Sequence, residues 1–213
     1  MGGVGAVVVA AGRGDRFGAP KQFCVLHGVR LVDRAVSACA AVSDEVVVVL
    51  PPGTEWDGPP VAAAVEGGDT RSASVRAGLA ALHGDHEIVI VHDAARPLAT
   101  RTLFDAVVAA VRAGADAAVP GVAVADTLKR VEGGRVAETV DRRGLVAVQT
   151  PQAFRADALR AAHATGGDAT DDAALVEAAG GVVVVVSGEA TNFKVMEPAD
   201  LERAAALLDQ GCR

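Results

Sequence analysis

The apolar run from Val4 to Val9 is followed by Ala10-Ala11-Gly12-Arg13-Gly14-Asp15-Arg16-Phe17-Gly18-Ala19-Pro20-Lys21-Gln22. Small residues and glycines at this point let backbone N–H groups approach an anion, while Arg16 and Lys21 bring positive charge to it. Such a turn can hold a triphosphate and stabilise the charge that builds on a reacting phosphorus. A dinucleotide fingerprint also places glycines after a strand, but it needs a helix directly behind them and an acid ending the second strand. Here Pro20-Lys21-Gln22 intervenes, and the second apolar run, Glu45 to Leu50, ends in Pro51-Pro52. Both requirements of that reading are missing. Arg16 and Lys21 also sit in the turn after a buried strand, where functional residues concentrate, which argues against merely solvated charges.

Further along, Asp93 closes the apolar Ile88 to Val91 run, where a carboxylate can accept hydrogen bonds from a ligand's hydroxyls. Other candidates carry bland alternatives. Thr170-Asp171-Asp172 also reads as a helix N-terminus, with a capping hydroxyl and acids in the first turn. Arg96, before Pro97, also reads as a loop cation. The scattered His27, His83, His86 and His163 read as solvent-facing, and His92, beside Asp93, as structural rather than a base.

The elements that must position these groups alternate along the chain. Short β-branched runs at Val4 to Val9, Glu45 to Leu50, Pro60 to Glu66, Glu87 to His92, Ala115 to Pro120 and Val182 to Ser187 predict buried strands. Ala-rich segments with helical spacing lie between them, at about Leu31 to Ala41, Ser72 to Leu82, Thr100 to Ala113 and Asp157 to Ala164. Pro198 starts a last helix, ending near Gln210. Continuously apolar strands alternating with helices predict an α/β, doubly wound, mostly parallel sheet with helices on both faces, and ligands beyond the carboxyl ends of its strands. The segment from Gly121 to Gly144 breaks the alternation. Its Thr127 to Val131 and Arg135 to Val140 runs flank Gly133-Gly134, which predicts a polar β-hairpin or arm lying on the surface or reaching another subunit.

The 213 residues fit one domain, read as 1–213 with 121–144 as the protruding arm. No uncharged apolar run is long enough to cross a membrane, and Met1 leads into the first strand without a basic leader, so a soluble, cytoplasmic protein is expected. Cys24, Cys39 and Cys212 are an odd number without metal-ligand spacing, which suggests reduced packing thiols. The net charge of −7 favours neither a nucleic-acid nor a membrane surface. An anionic substrate must then be held by local cations.

The strand followed by AAGRGDRFGAPKQ resembles the signature of nucleotidyltransferases that activate sugars and sugar alcohols. His92-Asp93-Ala94-Ala95-Arg96-Pro97, Asp126-Thr127-Leu128-Lys129-Arg130, Val140-Asp141-Arg142, Gln149-Thr150-Pro151-Gln152, Thr170-Asp171-Asp172 and Asn192-Phe193-Lys194-Val195 follow in the order of the 2-C-methyl-D-erythritol 4-phosphate cytidylyltransferase family. This resemblance covers essentially the whole chain. It implies a Rossmann-like parallel sheet, CTP and a sugar-alcohol phosphate as substrates, magnesium carried mainly by the CTP phosphates with no protein metal ligand, a homodimer, and a place in the non-mevalonate isoprenoid pathway. Carried over by motif, the nucleotide site uses Ala10, Ala11, Gly12, Gly14, Arg16, Lys21, Gly67, Gly68, Asp69, Arg71 and Ser74. The acceptor side uses Asp93, Arg96, Thr127, Arg142, Thr150, Thr170 and Lys194, with Arg16, Lys21, Arg142 and Lys194 as the catalytic cations. The Arg16 to Pro20 loop is shorter than in many members, and Phe17 stands where Met is usual. A ribitol 5-phosphate cytidylyltransferase and a nucleotide-binding regulatory module without turnover are the alternative readings; Arg16 and Lys21, both present, speak against the second.

Overall fold

A computed structural model describes residues 2–12, 14 and 17–211. Its strands are β1 (Gly3–Val9), β2 (Val25–Leu26), β3 (Val29–Arg30), β4 (Glu45–Leu50), β5 (Ala63–Glu66), β6 (His86–Asp93), β7 (Ala117–Ala123), β8 (Leu128–Glu132), β9 (Arg135–Val140), β10 (Val146–Val148), β11 (Gln152–Arg155) and β12 (Val183–Ser187). Its α-helices are α1 (Leu31–Ala40), α2 (Arg71–Ala81), α3 (Arg101–Arg112), α4 (Ala156–Ala164), α5 (Asp172–Ala178) and α6 (Pro198–Asp209). Among the described residues an eight-stranded sheet runs β10-β7-β11-β6-β1-β4-β5, with β12 also pairing with β7. Strands β6, β1, β4 and β5 are parallel neighbours, as are β7 and β12. The predicted α/β class therefore holds, with its parallel majority.

Burial explains why the strands are apolar on both sides. Val4, Ala6 and Val8 of β1 face α1 and α3, where Val36 and Phe104 are buried; Val7 faces α2, α4 and α5, where Val75, Leu159 and Val176 are buried. Close approach is built in by Gly78 of α2, since a Cβ there would fall 2.4 Å from Val7 Cγ1. Phe104 has no exposed surface and its ring lies 5.1 Å from that of His92. Phe104→Ala should therefore remove about 3–5 kcal/mol of stability, read as a lower denaturant midpoint at unchanged slope. An unshifted midpoint would contradict this packing.

Several local readings change. Strands β10 and β11 went unforeseen because Thr150-Pro151 interrupts a short run; β11 pairs antiparallel with both β6 and β7, and β10 antiparallel with β7. Residues 121–123 of the expected arm are the end of β7, where Gly121 leaves room for Val146 and Val185 on the flanking strands; a Cβ there would come 2.9 and 2.8 Å from them. The hairpin proper is β8 and β9, a separate two-stranded sheet with mostly exposed side chains. Helix α5 is capped by the Asp171 carboxylate, which accepts from Ala174 N–H, and not by Thr170. The helix begins at Asp172, so Asp171 and not Thr170 occupies the position from which a side-chain oxygen reaches the free N–H groups of the first turn. His163, read as solvent-facing, is buried, and the His86 side chain is largely covered, with Glu45 beside it. Each histidine is paired with a carboxylate, which satisfies a ring nitrogen once water is excluded. Cys39 is buried and Cys24 partly so; both are free thiols, and burial pushes Cys39 up. No helix among the described residues is long and apolar enough to cross a membrane.

Candidate active site

The carboxyl ends of β1 and β6 and the turn leading into α2 open into a cavity of about 510 Å³. Ala10 N–H donates to Val49 O, carrying the chain out of the sheet, and the turn beyond is tied by Gln22, whose Nε2 donates to Gly12 O at 3.0 Å. Gly14 has φ +73, and its carbonyl accepts from Phe17 and Gly18; a Cβ would fall 1.9 Å from Ala19 O, so only glycine fits. Across the cavity, Gly67 N–H donates to Leu50 O, and a Cβ on Gly67 would meet Ala11 Cβ at 2.3 Å and Ser74 Oγ at 2.7 Å. Thr70 then caps α2 through Ala73 N–H, so Arg71 and Ser74 leave the first turn beside the opening. Ala10, Ala11, Gly12, Gly14, Lys21, Gly68, Asp69, Arg71 and Ser74 line this cavity, and Gly67 lies just behind it. Arg16 lies outside the described residues.

A second cavity of about 260 Å³ adjoins the first, sharing Arg71, Asp93 and Lys194 and adding Arg96, Thr150 and Thr170. Asp93 is the hub. Lys194 Nζ donates to its Oδ2 at 2.7 Å, and Arg71 Nη2 to its Oδ1 at 3.4 Å. Burial opposes its ionisation, but Lys194, Arg71 and Arg96 outweigh burial and hold its pKa below the usual carboxylate range. Burial likewise opposes the charge of Arg71, and the Asp93 and Asp172 carboxylates outweigh it. Arg96, with burial dominant, is pushed down; its Nη1 donates to Asn192 O at 2.7 Å. The Thr150 hydroxyl accepts from Asp93 N–H at 3.0 Å and lies 3.2 Å from His92 Nδ1, so it fixes the strand end that presents Asp93.

The expected site residues that are described thus come together, except Thr127 and Arg142, which lie in exposed positions by the β8–β9 hairpin; Arg142 Nη1 donates to Val124 O there. Other side chains build the site without having been singled out. Gln22 and Asn192 are buried hydrogen-bonding anchors, the latter donating to Thr150 O at 2.9 Å. Met196 Sδ accepts from Lys21 Nζ at 3.4 Å, and Gln152 Nε2 donates to Asp171 Oδ2 at 3.1 Å. Gln22, Gln152, Asp171 and Asn192 stand inside the motifs quoted above, but nothing in a single sequence separates an inward amide from a solvated one. Met196 had no signal.

Chemically, two adjoining cavities meet at one carboxylate compensated by cations, an arrangement that can hold two anionic ligands end to end. Among the described residues no three His, Cys, Asp or Glu side chains group as a metal site. Beneath the hub, burial pushes His92 down to about 4 from its ordinary 6.5. The unfolded chain therefore binds the extra proton between these values, so stability is full above about pH 6.5 and falls as pH drops toward 4. The loss is on the order of 3 kcal/mol. His92→Gln should flatten the dependence of unfolding free energy on pH in that window; an equally steep slope would remove His92 as its source.

The profile of the family described as IspD, 2-C-methyl-D-erythritol 4-phosphate cytidylyltransferase, matches residues 4–210. The chain is 46% identical to the 2-C-methyl-D-erythritol 4-phosphate cytidylyltransferase of Nocardia farcinica, covering 98% of this chain and 95% of that one. It is 47% identical to the bifunctional enzyme IspD/IspF of Clavibacter michiganensis over 96% of this chain and 54% of that protein, so it spans about half the length of such relatives. The crystal structure of the Thermus thermophilus 2-C-methyl-D-erythritol 4-phosphate cytidylyltransferase superposes with a TM-score of 0.82 at 41% identity, covering 95% and 98% of the two chains.

Proposed function

The chain belongs to the 2-C-methyl-D-erythritol 4-phosphate cytidylyltransferase family, and on that premise we propose the reaction it performs. It transfers the cytidylyl group of CTP to 2-C-methyl-D-erythritol 4-phosphate, giving 4-diphosphocytidyl-2-C-methyl-D-erythritol and pyrophosphate for isoprenoid precursor biosynthesis. The observation that carries this reading is the Asp93 hub: the wall shared by a nucleotide-sized cavity and a smaller cationic one is where two substrates would meet.

In this reading the turn from Ala10 to Gly14 cradles the triphosphate with backbone N–H groups, and Gly67, Gly68, Asp69 and Ser74 face the cytosine. The acceptor's phosphate oxygen is already ionised at neutral pH. It attacks the α-phosphorus of CTP, forming a new O–P bond as the bond to the β-phosphate oxygen breaks and pyrophosphate departs, so no general base is required. Arg16 and Lys21 stabilise charge on the α-phosphate and the leaving group. Lys194, together with Arg142 from a second copy of the chain, holds the attacking phosphate in line, while Asp93, Arg96 and Thr170 face the rest of the acceptor and Thr150 supports Asp93. Asp93 is engaged by two cations and does not fit a protein-held magnesium cage; a magnesium ion would be carried by the triphosphate and would supply charge neutralisation there. The working form is a cytoplasmic homodimer sharing the 121–144 arms. Exposed Val131 and Val136 on the hairpin support the dimer, and the free Cys24 and Cys39 thiols support the compartment.

Pyrophosphate release tests the reaction. It is expected with CTP, magnesium and 2-C-methyl-D-erythritol 4-phosphate together and with none of them alone. Preference for ribitol 5-phosphate would reassign the acceptor, and CTP binding without turnover on either polyol phosphate would overturn the enzyme reading.

A further inference from the structure

Behind the nucleotide cavity lies an ion-paired chain that the proposed chemistry does not use. Asp172, the first residue of α5, has no exposed surface. Its Oδ2 accepts from Arg71 Nη1 at 2.6 Å, and its Oδ1 lies 3.0 Å from Nε2 of His163 on α4, itself 3% exposed. The other His163 ring nitrogen, Nδ1, has no hydrogen-bond partner among the described residues, so the histidine's polar contact there is with Asp172. The two arms of the Arg71 guanidinium are held unequally: Nη1 by the short bond to a fully buried carboxylate, Nη2 by a contact of 3.4 Å to Asp93 at the cavity wall.

We propose that Asp172, oriented by His163, is a positioning residue that clamps one arm of Arg71 so that the other can pass from Asp93 to an oxygen of the bound nucleotide. A guanidinium can do this because its donors form a rigid fork, whereas an ammonium has no second, fixed arm. The clamp also has an electrostatic purpose. Without the Asp172 charge, the strongest remaining partner of Arg71 is Asp93, and the two collapse into a closer pair. That collapse withdraws Arg71 from the nucleotide and competes with Lys194 for Asp93, so one substitution behind the cavity disturbs both sides of the hub. Asp172 touches neither cavity and acts only through Arg71.

The proposal rests on the nucleotidyl-transfer reading, and a double-mutant cycle separates the two. Wild-type pyrophosphate release tests the reaction; a wild type that binds CTP without turnover overturns that reading and leaves the same cycle to be run on CTP affinity. Asp172→Asn keeps the shape and an acceptor oxygen while removing the charge. It is expected to lower kcat/KM, corrected for folded fraction, by up to about 10²-fold, the scale of a displaced positioning group. In an Arg71→Ala background the same change should do nothing further, because Arg71 is its only route to the substrate. An equal fall in both backgrounds, or no fall in either, overturns the proposal. Arg71→Lys keeps it testable should Asp172→Asn fail to fold: a lysine cannot serve both carboxylate and nucleotide, so Arg71→Lys should be impaired nearly as much as Arg71→Ala. Near-normal activity of Arg71→Lys would show that no fork is needed.

Discussion

Lys21→Ala should lower kcat by about 10²- to 10³-fold while leaving the fold intact, and Arg16→Ala should do the same. The magnitude is that of losing one preorganised donor at a site where charge builds during reaction. Lys21 follows the glycine turn and lines the larger cavity, with Nζ resting on the Met196 thioether, a weak acceptor that a phosphate oxygen readily displaces. The contact places the ammonium at the cavity. Stability should change little, because the side chain is not part of the core. Steady-state kinetics at saturating CTP and acceptor, with circular dichroism as the folding control, check this result. A Lys21→Ala enzyme with near-normal kcat would mean that the short Phe17 to Ala19 loop has moved the lysine out of reach of the reacting phosphate.

The second large effect is a recovery. Lys21→Ala and Arg142→Ala chains, each inactive alone, should regain about a quarter of wild-type activity when their subunits are exchanged at equal concentration, since half the dimers are then mixed and each has one intact site. Arg142 is exposed just after β9 and bonded to Val124 O, outside both cavities of its own chain. In a two-fold dimer, an arm crossing to the neighbour brings Arg142 to the acceptor pocket through one self-complementary contact. In a mixed dimer the site with intact Lys21 then receives the arm with intact Arg142. An arm folded onto its own chain leaves every site short of one cation. Verified mixed dimers as inactive as their parents would therefore assign Arg142 to its own subunit.

Periodicity made the parallel strands legible because each is buried on both faces: the runs at Val4, Glu45 and Glu87 match β1, β4 and β6 within a residue or so. The glycine turn was legible because backbone geometry demands particular residues there, as at Gly14. The ladder of β10 and β11 was not, since three exposed residues followed by Thr150-Pro151 carry no strand pattern and gain their register only from β6 and β7. Among site residues, cations announced themselves by type. The groups that orient them did not: Asp172 reads as an ordinary acid opening a helix, and only its burial between Arg71 and His163 reveals another use. The hidden part of the site is thus its pairing, because partners such as Arg71 and Asp172 lie 101 residues apart and local sequence holds no trace of them.

The bond between Lys194 and Asp93 also spans 101 residues. During synthesis β6, which ends at Asp93, is complete 101 residues before Lys194 is added, so this ion pair can close only near the end of the chain's growth. Until then Arg71 and Arg96 are the cations left to compensate Asp93, and the segment bearing Lys194 adds the last of the three when it folds back across the end of β6. The charge balance at the junction of the two cavities is in this way completed by one of the last segments of the chain to be made.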